Sequence, residues 1–470
     1  MGHTICGKKE EKGKEENTNR DEKRMVSVAL LGSCIHLVSG YNLAYSGIIV
    51  PQLLDEKNST LIDDTSTWIV SSGALGFCFS GLISGLVIDR FGRINTLRFS
   101  LIPNLLGWVL VAISRSADTI IVGRFISGFA LSFSSNSAMV YIAEISQPHI
   151  RAVLLTMPSM WVSIGVLLMF IQGRFLLWRW IAWLTVAYLI IISVLLFFVP
   201  ESPAWSISKN RITQGRKSLS WFLGDDQVCM QTLVCQDLKN VMQAQDKVTF
   251  NTFKQPTVYK PFFIIIGLFA FQQLSGVLVI VSNIIILFME IGIRYDLYSI
   301  TIIIGVIRIV MSINNLWISK TFTRRTLLFT SGLGMTLSLS ASALFSSWIQ
   351  HRQSDKMWLP VLMVMIYLFF ATLGLFAIPI AIVAELFPIN VRGLMQSFLT
   401  SVNNLMSFVV LQSYRRLLNA FGGVVGLQYF YAIMCLWFVL YSFVYVPETY
   451  KKKLKDIQKY FWHHTTYLSS

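Results

Sequence analysis

Two glutamate–arginine pairs carry the first chemical signal. Glu144 precedes Arg151 by seven residues, and Glu385 precedes Arg392 by the same seven, 241 positions further on. Carboxylate and guanidinium groups near the ends of apolar runs can pair at an interface and can also be parted. Asp89 and Arg93 add a further acid and base in the short run Asp89-Arg90-Phe91-Gly92-Arg93. A second set is neutral. Gln272 and Gln273 are consecutive amides inside an apolar run, and Asn403 and Asn404 repeat that arrangement in another. Amides are costly in hydrocarbon, so these face a wet cavity or hold one helix to the next. In a cavity they exchange hydrogen bonds with a solute's hydroxyls and add no net charge. Arg308 sits midway along a third apolar run, where a charge costs about 2.5–3.5 kcal/mol on insertion scales. Its five N–H donors suit hydroxyls, an anion, or the carbonyls of a broken helix; solute contact and a structural role both remain open.

Bond-making chemistry has no comparable support. No Walker A run, HExxH or GxSxG occurs, and no cysteine–histidine arrangement is present. The six cysteines are scattered without a CxxC pair, so neither a metal site, a disulfide framework nor a cofactor is expected. The residues therefore point to reversible binding and gating, not to an enzyme.

The elements that must position them are membrane helices. Of 470 residues, 54% are hydrophobic and 13% charged, against about 25% charged in a soluble domain. Mean hydropathy is +0.60. Apolar stretches long enough to cross a bilayer as helices fall near 25–50, 66–88, 94–114, 118–144, 152–173 and 177–199, and then near 261–289, 297–319, 326–348, 358–386, 393–419 and 423–446. The expected fold is all-α, with twelve transmembrane helices in two six-helix bundles. The expected divisions are a charged tail 1–24, a bundle 25–199, a polar linker with short helices 200–260, a bundle 261–446 and a tail 447–470. No cleavable signal is expected, because the first 24 residues are a mixed-charge run and the first span is too long for one.

The net charge of +15 would suggest nucleic acid in a soluble chain. Here it follows the loops. With both termini cytoplasmic, 28 basic residues fall inside and 9 outside, with Arg124 and Arg308 left within spans. The first outer loop is acidic and holds the sequon Asn58-Ser59-Thr60, which makes Asn58 the candidate glycosylation site. The partners expected are the bilayer and a small solute, with no nucleic acid; a plasma-membrane location and a monomeric transport unit complete the expectation.

The pairs also reveal a repeat. Pro200-Glu201-Ser202 and Pro447-Glu448-Thr449 end spans 6 and 12, and Asp89–Arg93 after span 2 has a degraded copy in Thr321–Arg325 after span 8. Three coincidences at nearly one offset argue for two related halves around a central cavity. The repeated pairs would then form one cytoplasmic cluster, Glu144, Arg151, Glu385 and Arg392 with Asp89 and Arg93 beside it, acting as a gate or as static helix anchors.

In combination, GRFISG (123–128), DRFGR (89–93), the run 141–151, PESP (200–203), FQQLSG (271–276), the run 378–393 and PET (447–449) resemble the sugar porters. This is the branch of the major facilitator superfamily that includes the facilitative glucose transporters. Arg151–Pro158 looks most like the insect facilitated trehalose transporters. The resemblance implies two bundles rocking about a central sugar site, with Gln272, Gln273 and Asn403 as solute ligands. It also marks departures: Leu278, Ser282-Asn283, Ser159, Ile380, Asn404 and Arg308 stand where the glucose carriers keep other ligands. Proton-coupled relatives carry an Asp where this chain has Asn42, so gradient-driven transport is expected. The alternatives are a carrier of a non-sugar, possibly anionic solute and a non-transporting receptor on the same scaffold.

Overall fold

A computed structural model describes residues 24–57, 63–146, 148–223, 253–351, 356–376, 378–387, 389–448 and 460–462. Asn58 lies outside them, as do the side chains of Glu385 and Arg392. The first half contains α1 (Arg24–Leu54), α2 (Asp63–Phe91), α3 (Arg93–Ile113), α4 (Ala117–Ile145), α5 (Met157–Phe175) and α6 (Trp178–Phe197). The second contains α7 (Pro256–Leu274, continued by Val277–Ser282 and Ile284–Ile291), α8 (Leu297–Thr321) and α9 (Arg324–Gln350). It closes with α10 (Trp358–Phe370, then Ile378–Leu386), α11 (Ile389–Ala420) and α12 (Val424–Tyr445). Eleven of these are long and apolar enough to span a bilayer by composition alone. The twelfth, α5, has 19 residues, about 28 Å of helix, and is diluted by Gln172 and Arg174. Bulky apolar side chains such as Phe99, Ile102, Leu337 and Trp437 are exposed on the outside, as a lipid-facing surface requires. This is a multi-pass membrane protein.

The halves meet along two seams related by the repeat, α2 against α11 and α5 against α8, with α1 touching α7 between them. Small residues make the seams close. A methyl added to Gly81 would stand 2.3 Å from the Ser401 hydroxyl, and one on Gly305 would stand 2.9 Å from Leu167.

Two spans differ from their sequence outlines. α7 starts at Pro256, not 261, because proline suits a first helical turn and Pro261 is still close enough to the start to be accommodated. α7 also breaks at Ser275-Gly276, where Gly276 has φ +82°, a conformation that costs glycine little. α10 is not continuous either; Ala371–Leu375 form a π-turn. Periodicity of hydrophobicity cannot show such breaks, since the residues on both sides remain apolar.

On the side carrying both termini, the linker folds into the short helices Pro203–Ser208 and Ile212–Leu223. Phe461, fully buried, accepts a 2.8 Å hydrogen bond from the Lys260 ammonium at the start of α7.

Candidate solute site

The breaks in α7 and α10 lie beside a cavity of about 260 Å³ between the two halves. Its size is just under the roughly 300–1,000 Å³ of small-molecule sites in general, so it suits a solute of sugar size. α1 contributes Ser39, Asn42 and Ser46, and α2 and α4 contribute Gly73, Phe77 and Arg124. Gln272 and Gln273 come from α7, Leu375 and Phe376 from α10, and Asn403, Asn404 and Ser407 from α11.

The amides are held by neutral acceptors. Gln272 donates to the Leu375 carbonyl at 2.9 Å, an acceptor left free because Pro379, four residues on, has no N–H, while its own Oε1 has no partner. Gln273 donates to Asn403 Oδ1 at 2.8 Å. The Ser275 carbonyl at the α7 break accepts from the Tyr367 hydroxyl at 2.8 Å. On the opposite wall the Asn42 amide donates to the Ser127 hydroxyl at 3.2 Å. Gln272, Gln273 and Asn403 are thus together at one cavity wall.

Two guanidinium groups are buried nearby. Arg124 is 3% exposed; its Nε donates to the Ile69 carbonyl at 3.1 Å and its Nη2 to the Asn42 carbonyl and the Ser46 hydroxyl at 3.2 and 2.8 Å. Its position was visible in the sequence as a basic residue inside a span, but its three neutral acceptors were not. Arg308 does not line the cavity. It is 5% exposed and lies with Cζ 5.3 Å from the centre of the Phe376 ring, which does.

The far side from the termini is sealed. Arg174, ending α5, pairs with Asp296, the N-cap of α8, at 2.8 Å and also donates to Ser299. The Ser71 hydroxyl donates to Gln412 at 2.7 Å, tying α2 to α11. A small space of about 10 Å³ lies beside Thr67, Asn283 and Tyr414. The Ser299 hydroxyl, donating to Asp296, holds its carboxyl below the ordinary value, aided by Arg174.

On the termini side Arg93 pairs with Glu144 at 2.8 Å and with Asp89 at 3.1 Å, and the Ser202 hydroxyl donates to Glu144. These contacts lie within the first half. Arg151 is not brought to them; it is exposed and donates to the Ser146 carbonyl at 3.1 Å. Glu385 and Arg392 lie outside the described side chains. The PES and PET repeats acquire a physical role that the sequence reading missed. Glu201 accepts from the backbone N–H groups of Arg93, Ile94 and Asn95, and Glu448 from those of Arg324 and Arg325. Each carboxylate thus caps the free donors at the start of α3 or α9. A glutamate placed just after a span in both halves was the available signal.

The comparisons agree with this geometry. A family model described as "Sugar (and other) transporter" matches residues 25–461. A facilitated trehalose transporter of Apis mellifera ligustica is 29% identical over 448 residues, covering 92% of this chain and 87% of the relative. One of Drosophila erecta is 30% identical over 445 residues; it covers 92% of this chain, which spans about half of that longer relative, 51%. Among solved structures, the E. coli xylose transporter in an inward open conformation is 20% identical with a TM-score of 0.76, over 93% of this chain and 99% of that one. The proton:xylose symporter bound to 6-bromo-6-deoxy-D-glucose has a TM-score of 0.70 at 20% identity, over 93% of this chain and 98% of that one. At that identity the solved structures speak for the major facilitator fold. The chain belongs to the sugar (and other) transporter family, a membrane carrier and not an enzyme.

Proposed function

We propose that the protein carries a sugar-like solute across the membrane by alternating access, without coupling to protons. The observation that carries this reading is the amide wall. Gln272, Gln273 and Asn403 meet in a cavity between the halves, and the unpartnered Gln272 Oε1 can accept from a hydroxyl. The similarity to proteins named facilitated trehalose transporters supports a trehalose-like disaccharide or a hexose as the size class. Asn42 supports uncoupled movement, since an amide offers no titratable group at that wall. Labelled trehalose and glucose should exchange in liposomes containing the purified protein, with no change in a trapped pH dye. Absence of exchange for every polyol tried defeats the reading; a proton entering with each solute defeats the uncoupled part.

The bias of basic residues supports cytoplasmic termini and a cytoplasmic linker 200–260, and the family supports a plasma-membrane location with one chain as the transport unit. In this frame Asp89, Arg93 and Glu144 form the first-half share of a cytoplasmic gate. Glu385 and Arg392 are its second-half counterparts by the repeat, and Arg151 stands at its edge. Glu385→Gln should raise labelling of a cysteine placed on the cytoplasmic side of the cavity and lower it outside. Unchanged labelling on both sides leaves these residues as anchors.

A further inference from the structure

We propose that the preferred solute is a polyhydroxylated monoanion, a sugar acid, whose carboxylate is met by Arg308. This rests on the reading of the cavity as a sugar-like site and narrows it.

Arg308 is buried, and its Nε and Nη1 have no hydrogen-bond partner. A structural role would be to serve carbonyls released by the broken α10. Those carbonyls are already served by neutral amides: Asn315 donates to Thr372 at 2.7 Å, and Gln272 donates to Leu375 at 2.9 Å. The guanidinium is therefore surplus to the break it lies beside. Nor does the chain offer it a fixed counterion. No Asp or Glu occurs in the middle of any span, and the cavity lining contains none among the described residues. A buried charge left in this way is strongly destabilising unless something pairs with it.

The place where a counterion can arrive is the cavity. Phe376 touches both the guanidinium and the solute space. It stands at the end of the π-turn Ala371–Leu375, just where the regular ladder of α10 is interrupted, so its ring can shift without breaking a continuous helix. Shifting it opens the Arg308 fork to the cavity, and a fork of that shape binds a carboxylate through two parallel hydrogen bonds. Arg124 lines the cavity and its Nη1 also lacks a partner, but its Nε and Nη2 are held by three neutral acceptors, which leaves it no free pair of donors for a carboxylate. Arg308, with two unpartnered nitrogens, is the better match for a single carboxylate, and the amides of α7 and α11 are left for the hydroxyls.

The test is counterflow in liposomes containing the purified full-length protein, with labelled D-glucuronate, its methyl ester, D-glucose and trehalose. Glucuronate should half-saturate at a concentration roughly ten- to a hundred-fold below its ester, the range spanned by a hydrogen bond to a charged group. Its entry should also speed up when a valinomycin potential makes the interior positive. Arg308→Gln should bring glucuronate to the level of the ester, and Arg308→Lys should keep the potential dependence. Should that variant fail to fold, the wild-type protein decides: glucuronate should raise its melting temperature at concentrations where the ester does not, and equal shifts overturn the proposal. Exchange of neutral sugars without glucuronate overturns it and leaves the carrier reading intact. No exchange of any polyol overturns both.

Discussion

Helices cross differently in the two halves. Around α1 to α5 glycines press backbone on backbone. A methyl on Gly128 would lie 2.1 Å from the Gly73 carbonyl oxygen, one on Gly76 2.2 Å from that of Phe125, and one on Gly40 2.2 Å from that of Val162. In the second half most close glycines make room for side chains instead, as Gly276 does for Tyr431, Gly334 for Phe370 and Gly267 for Tyr441, although Gly374 and Gly426 still meet the backbone of Leu327 and Phe421. The second half also holds the left-handed break in α7 and the π-turn in α10. One half is therefore a rigid wall. The other is a set of jointed helices whose gaps are filled by side chains, and it supplies most of the amides. Alternating access needs both, a fixed surface and a surface that rearranges against it.

The sharpest way to break this comparison is to add one methyl to each half. Gly128→Ala should cost about 1–3 kcal/mol, because backbone cannot step aside from the new carbon. Gly267→Ala should cost less than about 1 kcal/mol, since the obstacle is the hydroxyl end of Tyr441. Melting curves in one detergent would show it, and equal losses would erase the contrast. Next come the caps. Glu201→Ala and Glu448→Ala should each lose about 0.5–2 kcal/mol, the first more because it reaches three N–H groups at the start of α3, against two among the described residues at the start of α9. The reverse order, read by the same melts, would make the second half the stiffer one.

Solute affinity should follow the jointed half. Gln273→Ala should raise the half-saturating solute concentration about two- to ten-fold, with unchanged surface expression. Asn42→Ala should change it less, its amide being occupied by Ser127. The smallest effect is expected at the Arg174–Asp296 clasp, both of whose side chains are partly exposed. Arg174→Gln should shift the balance toward the outward-open form by no more than about 1 kcal/mol, seen as increased labelling of an outer-cavity cysteine. Asp296 has its carboxyl held below the ordinary value, so its contribution is present above the unfolded value. It should be lost only as the pH falls through the lowered one, leaving the clasp intact at neutral pH.

Much of this was legible in the residues. Twelve apolar runs gave the spans because hydrocarbon thickness fixes helix length, and the repeated Glu–Arg and Pro–Glu pairs gave the two halves. Gln272 and Gln273 stood out as adjacent amides in an apolar run, and they and Asn403 were marked as ligands by the resemblance to the sugar porters. The position of Arg308 behind Phe376 could not be read, nor could the π-turn, since both depend on how α8 and α10 meet in space. The caps were missed for a related reason. The partners of Glu201 and Glu448 are backbone N–H groups more than a hundred residues away, and backbone carries no sequence signal.

The bond from Asn42 to Ser127 has a wider consequence. A carboxylic acid in that position would let a proton gradient perform work on the solute; an amide gives that gradient nothing to grip. Such a protein lets each solute run down its own electrochemical gradient. Command over the net flow then belongs to the membrane potential and to the reactions that make or remove the solute on either side, and the carrier sets only how fast that balance is reached.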